Sequence, residues 1–217
     1  MQKTAVNWFW RFTIYLMGLP MIAVGITLST KAGLGLTTIA SFPYAISQAL
    51  HVNYAATTFV VYIITIILQF VIKGRNRQWR DLFQLPVNLV FSSFLGWFGT
   101  LIPIQLGAFW QNLLLSVVAV VMIAVGAAMM VNMQLAPNPP DGLAHAMSIA
   151  MKKDLGTAKN LLDFIFVALA AVIDLLFQKR LVSVGIGTVI AMLLMGRVIY
   201  VFNHFFKARI LKLAGLA

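Results

Sequence analysis

The chain contains no cysteine, so it holds no disulfide framework, no thiolate metal site and no thiol nucleophile, and its redox compartment stays open. Charge is nearly as scarce. Charged residues are 10% of the 217, against about a quarter in ordinary soluble domains. So few charges cannot cover a surface that faces water, and most of this surface must face something else. The acidic residues number five, all aspartates: Asp81, Asp141, Asp154, Asp163 and Asp174. There is no Walker lysine loop, no Gly-rich dinucleotide fingerprint after a strand, no His-Glu-x-x-His and no nucleophile–base triad. The sequence therefore predicts no catalytic residue, no cofactor and no metal site. The chain is not read as an enzyme, and an ATP-driven pump would need nucleotide-binding subunits from elsewhere.

What the chain has instead is apolar length. Hydrophobic residues make up 61% of it, and the runs 12–30, 55–72, 113–131 and 182–202 approach or exceed the ~20 residues that cross a hydrocarbon core. A formal net charge of +11 would suggest nucleic acid in a soluble protein. Here the basic residues sit in short clusters between apolar runs, the pattern of loops facing anionic lipid. The expected partner is the bilayer, not nucleic acid. The first run follows Lys3 and Arg11 as a signal peptide would. It is longer than a typical h-region and ends at Ser29-Thr30-Lys31 without a small-x-small site, so it is expected to remain as a span.

Met21-Ile22-Ala23-Val24-Gly25 recurs unchanged 101 residues later as Met122-Ile123-Ala124-Val125-Gly126. At the same offset Leu34 matches Leu135, Ala45 matches Ala146 and Ser47 matches Ser148. Lys73-Gly74-Arg75 meets Gln178-Lys179-Arg180 once a few residues are inserted. We read a duplication within a single membrane domain, 1–217, with repeat 1 at about 8–102 and repeat 2 at about 109–206. Repeat 1 holds a long helix to about Thr30, a short segment 37–51, and helices 55–72 and 81–101. Repeat 2 holds a helix 109–131, a short segment 140–151, and helices 160–177 and 182–206. Each short segment follows a helix-breaking stretch, Gly33-Leu34-Gly35 in one and Ala136-Pro137-Asn138-Pro139-Pro140-Asp141-Gly142 in the other.

Charge placement tests whether the short segments cross. If all eight elements span from a cytoplasmic N-terminus, eight basic loop residues fall inside and seven outside. If the short segments enter and leave by the same face, Lys73, Arg75, Arg77 and Arg80 join Lys3, Arg11, Lys152, Lys153, Lys159, Lys207, Arg209 and Lys212 inside, twelve against Lys31, Lys179 and Arg180 outside. The positive-inside rule favours the second arrangement. The expected fold is an all-α polytopic membrane protein: six spanning helices plus two short re-entrant helices, in two inverted repeats, with both termini cytoplasmic. Short tilted spanning helices are the alternative for the two segments. Paired, interrupted segments at matching places in inverted halves are the pattern found around a transporter's central site.

The candidate site residues follow from that pattern. Asp141 stands at the start of the second short segment, where it either caps free N–H groups and meets the helix dipole or faces a cavity as a ligand for a cation, a proton or a substrate amine. His145, four residues on, shares its face. The matching opening in the first half offers Thr37, Thr38 and Ser41, hydroxyls that either cap the helix or help receive an anionic group. Asp163 and Arg197 lie within expected spans, where charges usually pair across the bundle, so an Asp163–Arg197 pair is expected. Asp174 is read as an interfacial charge near Lys179 and Arg180. Gly185-Ile186-Gly187-Thr188 and Gly196 suggest close helix packing, and Trp8, Trp10, Trp79 and Trp110 suggest an aromatic belt.

Lys31-Ala32-Gly33-Leu34-Gly35, Pro139-Pro140-Asp141-Gly142-Leu143 and Gly185-Ile186-Gly187-Thr188 together resemble the YczE/YyaS/YitT group of bacterial membrane proteins, in its YczE-like branch. In that group each half carries a Leu-Gly-x-x-Pro-x-Asp-like segment after its first helix. Here the first half keeps Leu34-Gly35 but has Thr38 and Ala40 at the places of the proline and the aspartate. The resemblance implies a multi-pass protein of the bacterial plasma membrane. The leading functional expectation is a transporter or permease-like protein for a small solute, alone or as a homo-oligomer, with a site between the repeats. Its rivals are a substrate-binding membrane subunit served by a separate energising partner and a small regulatory membrane protein without transport.

Overall fold

The computed structural model describes residues 2–76, 78–104 and 106–216, with the side chains of 2–6 and of Arg80 outside the description. Of the basic residues that oriented the chain above, Arg77 and the side chains of Lys3 and Arg80 therefore lie outside the described residues. The described residues form eight α-helices: α1 Gln2–Ala32, α2 Thr38–Leu50, α3 Tyr54–Lys73, α4 Gln84–Leu101, α5 Phe109–Asn132, α6 Pro139–Met151, α7 Leu155–Ile173 and α8 Ile186–Leu213. No strand occurs among the described residues. Six of the helices, all but α2 and α6, are long and apolar enough to cross a bilayer. This is a multi-pass membrane protein. The tryptophans Trp8, Trp10, Trp79 and Trp110 are all exposed.

The two halves are built to the same plan. Helices α2 and α6 have 13 residues each, roughly 20 Å of helix against a core of about 30 Å. Both end on a left-handed residue, His51 at φ 54° and Lys152 at φ 53°. The next helix then starts on a side-chain cap. Asn53 accepts from the N–H groups of Ala55 and Ala56, and Asp154 accepts from Thr157. The Asp154 cap starts α7 at Leu155 rather than at the expected 160. Before α4 the chain makes a 3-10 turn, Trp79–Phe83, and before α8 a π-helical turn, Asp174–Gln178.

The repeated pentapeptide has a packing reason. Gly25 of α1 lies against the Ala119 carbonyl and Ile123 of α5, while Gly126 of α5 lies against the Gly18 carbonyl and Ile22 of α1. Each contact is the other displaced by 101 residues. Numbers rise on α1 as they fall on α5, so the two helices run antiparallel. Without a Cβ at either crossing the backbones approach closely. Around this pair, α4 packs on α1 and α8 packs on α5.

The short helices cross over between halves. Helix α2 packs on α7 and α6 packs on α3. Thr38 lies beside Asp163, the Phe42 and Phe166 rings stack at 5.6 Å, and Gln178 Nε2 donates to the Gln48 carbonyl. Numbers rise together, so α2 and α7 run parallel. Tyr62 beside Asn138 and Gln69 against Gly142 say the same of α3 and α6. The starts of α2 and α6 consequently meet the middles of α7 and α3. Gly215 packs against Asn7, which brings the ends of α8 and α1 together.

Candidate functional site

The N-termini of both short helices open on one cavity of about 650 Å³. Thr37 and Thr38 line it from α2, and Asn138, Asp141, Gly142 and His145 line it from α6. Helix α3 contributes Tyr62, Gln69 and Lys73, and α7 contributes Leu155, Lys159 and Asp163. Ile22, Ile26, Ile123, Ala127, Met195 and Ile199 form an apolar wall from α1, α5 and α8.

Three charges gather at the centre. Lys159 Nζ donates to Asp141 Oδ1 at 2.5 Å, with the side chains 38% and 37% exposed. Asp163 follows Lys159 by one helical turn and so shares its face, and the Thr38 hydroxyl stands beside its carboxylate. Asp163 Oδ1 is buried and has no hydrogen-bond partner. The residues 101 earlier are Ala40, Thr58 and Tyr62, so the first half has no charge at the corresponding positions. A second ion pair, Lys73 with Asp81 at 2.9 Å, lines the cavity further along. At the start of α6, Gln69 and Gln84 fill the space a Cβ on Gly142 would need. Gln84 Nε2 donates to Gln69 Oε1 at 3.0 Å, leaving Gln69 Nε2 and Gln84 Oε1 buried without partners. Among the described residues no three His or Asp side chains converge to hold a metal ion.

The cavity is one-sided. Lys73, Gln78 and Asp81 line it from the end of α3 and the α3–α4 connection and Leu155 from the start of α7, so it reaches the face that carries the α3–α4 and α6–α7 connections. Toward the other face the chain is sealed by backbone. Leu36 N–H donates to the Ser183 carbonyl at 2.9 Å, and Gly187 N–H donates to the Leu34 carbonyl at 2.6 Å. Gly35, at φ 94°, has no room for a side chain, because a Cβ would collide with the backbone nitrogen of Gly185. Asp174 braces this seal, its Oδ2 accepting from the N–H groups of Val182 and Ser183 and from the Ser183 hydroxyl. Beyond the seal a smaller hollow of about 190 Å³ is lined by Thr30, Gly33, Leu36, Tyr44 and Arg180–Val182. Leu36 lines one cavity and its neighbour Thr37 the other.

Of the residues singled out from sequence, Asp141, His145, Thr37 and Thr38 are brought together in the large cavity. Ser41 is not among its lining residues: it is fully buried and its hydroxyl bonds the Thr38 carbonyl three residues back. The Asp163–Arg197 pair is not formed. The ion pairs among the described residues are Lys73–Asp81 and Lys159–Asp141, and Arg197 is exposed. Met195 and Ile199 face the cavity, and a residue two steps from each is turned about 200° around the helix, which points Arg197 away. Asp174 is not an interfacial charge, since it is fully buried and spent on the seal. Gly185 and Gly187 do pack closely, on Leu34 and Gly35, whereas Gly196 has no neighbour within 4 Å.

Sequence reasoning missed Lys159, Tyr62, Gln69 and Asn138. With the helix expected to start at 160, Lys159 reads as a loop charge. The string Asp154-Leu155-Gly156-Thr157 carries the corrective signal, since an aspartate immediately before the first apolar residue marks a helix start. It places Lys159 one turn inside α7.

No curated protein and no solved structure matches the chain. One family model does, over residues 9–204, from the first helix through most of the last. The match covers both halves and every residue of the cavity, and the chain belongs to the family of unknown function DUF6198.

Proposed function

We propose that this protein is a secondary transporter for a small solute, built from two inverted repeats, with its binding site where the two re-entrant helices meet. The observation that carries the reading is the single cavity onto which the N-termini of α2 and α6 both open, charged at its centre and reaching one face alone. The reciprocal glycine contacts of α1 and α5 and the exchange of α2 and α6 between halves support the inverted relation. Irregular backbone at membrane depth is tolerated where it lines a cavity, and that is where Leu34–Thr37 and Leu135–Asn138 run. By the positive-inside reading the open face is cytoplasmic, so the arrangement corresponds to an inward-facing state with the outer side closed at Leu34–Leu36. Hydropathy and the YczE-like resemblance support a plasma-membrane location.

The absence of cysteine makes a direct test available. Single cysteines at Ala127 and at Leu36 are labelled in reconstituted vesicles with a membrane-impermeant reagent from either side. Ala127→Cys is expected to react from the cytoplasmic side and Leu36→Cys only in the minor outward-facing population. Flux is then followed in vesicles loaded with a broad metabolite mixture. Accelerated exit of a solute from wild-type vesicles, abolished by Lys159→Met, is the expected result. Cavity labelling from one side under all conditions, with no solute faster than in protein-free vesicles, would overturn the transporter reading. Co-purification of an ATPase would point instead to a subunit of a larger machine.

A further inference from the structure

Resting on the reading of this cavity as a solute site, we infer that it binds a small zwitterion with an aliphatic body: its ammonium on Asp163, its carboxylate on the N-terminus of α2. Asp141 and Lys159 neutralise one another. Asp163 is left over, with Oδ1 buried and unpartnered. Two carboxylates and one ammonium leave this cluster one negative charge in excess, and an excess charge inside a bundle marks a place for one positive charge.

The complementary vacancy lies beside it. Ala40 and Ser41 turn their N–H groups back to the Thr37 carbonyl, but the N–H groups of Thr38 and Ile39 have no acceptor among the described residues. Thr37, 7% exposed and lining the cavity, makes no capping bond with its hydroxyl. No acidic residue stands in the first turn of α2. Free N–H groups at the positive end of a helix dipole receive a carboxylate. Helix α6 has been disarmed in the same place. Its first two positions, Pro139 and Pro140, have no N–H to offer, and Asp141 supplies negative charge.

The two vacancies adjoin, because the Thr38 side chain stands beside Asp163. A ligand that fills both carries opposite charges a few ångströms apart, as an α- or β-amino acid does. Asp163 does not close α2 itself, since its carboxylate is met by the Thr38 hydroxyl and by no backbone N–H. The isoleucines and Met195 of the opposite wall suit a branched aliphatic body.

The test is binding to the purified full-length protein in detergent, by thermal shift and calorimetry, with three probes: L-leucine, 4-methylpentanoate, which lacks the amine, and 3-methylbutylamine, which lacks the carboxylate. Leucine is expected to bind at least about 30-fold more tightly than either analogue, as the loss of one charge-assisted contact predicts. Asp163→Asn is expected to bring leucine and 4-methylpentanoate within about threefold of each other. The double variant Thr38→Pro, Ile39→Pro copies α6 and keeps the helix, because proline is tolerated in a first turn. It is expected to do the same for leucine and 3-methylbutylamine. The wild-type series stands even where a variant fails to fold. Equal binding of the amine and leucine would mean a monocation site and would overturn the inference. So would equal binding of the acid, or no binding of leucine, isoleucine, valine or β-leucine at millimolar concentration. Binding in detergent needs no flux. Leucine bound but not moved would sink the transporter reading alone, and flux of an uncharged solute with no leucine binding would sink this inference alone.

Discussion

Helices α2 and α6 share their length, the left-handed residue that ends them and their place in the halves, yet their front ends are chemical opposites. Helix α2 presents hydroxyls and free N–H groups, whereas α6 presents two prolines and an aspartate. The same contrast continues on their neighbours, where Thr58 and Tyr62 on α3 answer to Lys159 and Asp163 on α7. Glycine crossings and caps recur at matched positions, because geometry demands them wherever the same backbone plan is used. The cavity-facing side chains are under no such constraint, and they differ between the halves. The comparison makes a rule: variants at matched backbone positions should behave alike in both halves, and variants at cavity positions should not.

The largest effect is all-or-none. Single cysteines at Asn76 and Lys152 should be labelled from one side of the membrane, and cysteines at His51 and Lys179 from the other. Asn76 and Lys152 on opposite sides would break the inverted relation and the comparison with it. Next comes Lys159→Met, which leaves Asp141 without its cation. The half-exposed pair lies between a surface and a buried ion pair, so a loss of about 2 kcal/mol in detergent unfolding is expected. The matched Thr58→Val should lose less than about 1 kcal/mol, the value of one hydroxyl bond to the Tyr54 carbonyl. Adding Asp141→Asn to Lys159→Met should recover part of the loss. Equal losses in the two halves would show the charges to be structural ornament.

Gly25→Ala and Gly126→Ala come third. A methyl at either meets a carbonyl oxygen, at 2.8 Å from Ala119 and at 2.7 Å from Gly18. Each should cost about 1.5 kcal/mol by overpacking, with the two alike, while Gly99→Ala, with nothing within 4 Å, should cost nothing. The smallest effect separates the caps. Asn53→Ala should lose about 1 kcal/mol at any pH. Asp154 is held below the ordinary aspartate range, chiefly by the Thr157 hydroxyl and then by the Thr157 N–H. A depressed carboxyl contributes stability above its unfolded pKa and loses it as the pH falls through the folded value. The unfolding difference between wild type and Asp154→Asn should therefore shrink as the pH is lowered below 3.8, and a pH-independent difference would count against the cap.

Much of the fold could be read in advance. Six long apolar stretches, two short interrupted ones and a pentapeptide repeated at offset 101 are all patterns along the chain. Four of the five candidate residues line the cavity, and they were legible because the short segments begin with polar groups that stand out in an apolar chain. The Asp163–Arg197 expectation failed because opposite charge and similar depth do not say which way a side chain points around its helix. Ser41 failed for a related reason: a hydroxyl in a first turn can satisfy itself on its own backbone.

Hydropathy and breakers act within a few residues of where they stand, so the order of the amino acids settled which six helices are long and apolar enough to span and which two are short. Contacts between distant residues settled the rest. The packing of α2 on α7 and α6 on α3 put Thr38 next to Asp163, Asp141 next to Lys159, and Leu34–Leu36 against Ser183–Gly187. Each such partner depends on the rotation and depth of two helices at once, and those are fixed by close packing among all the helices together.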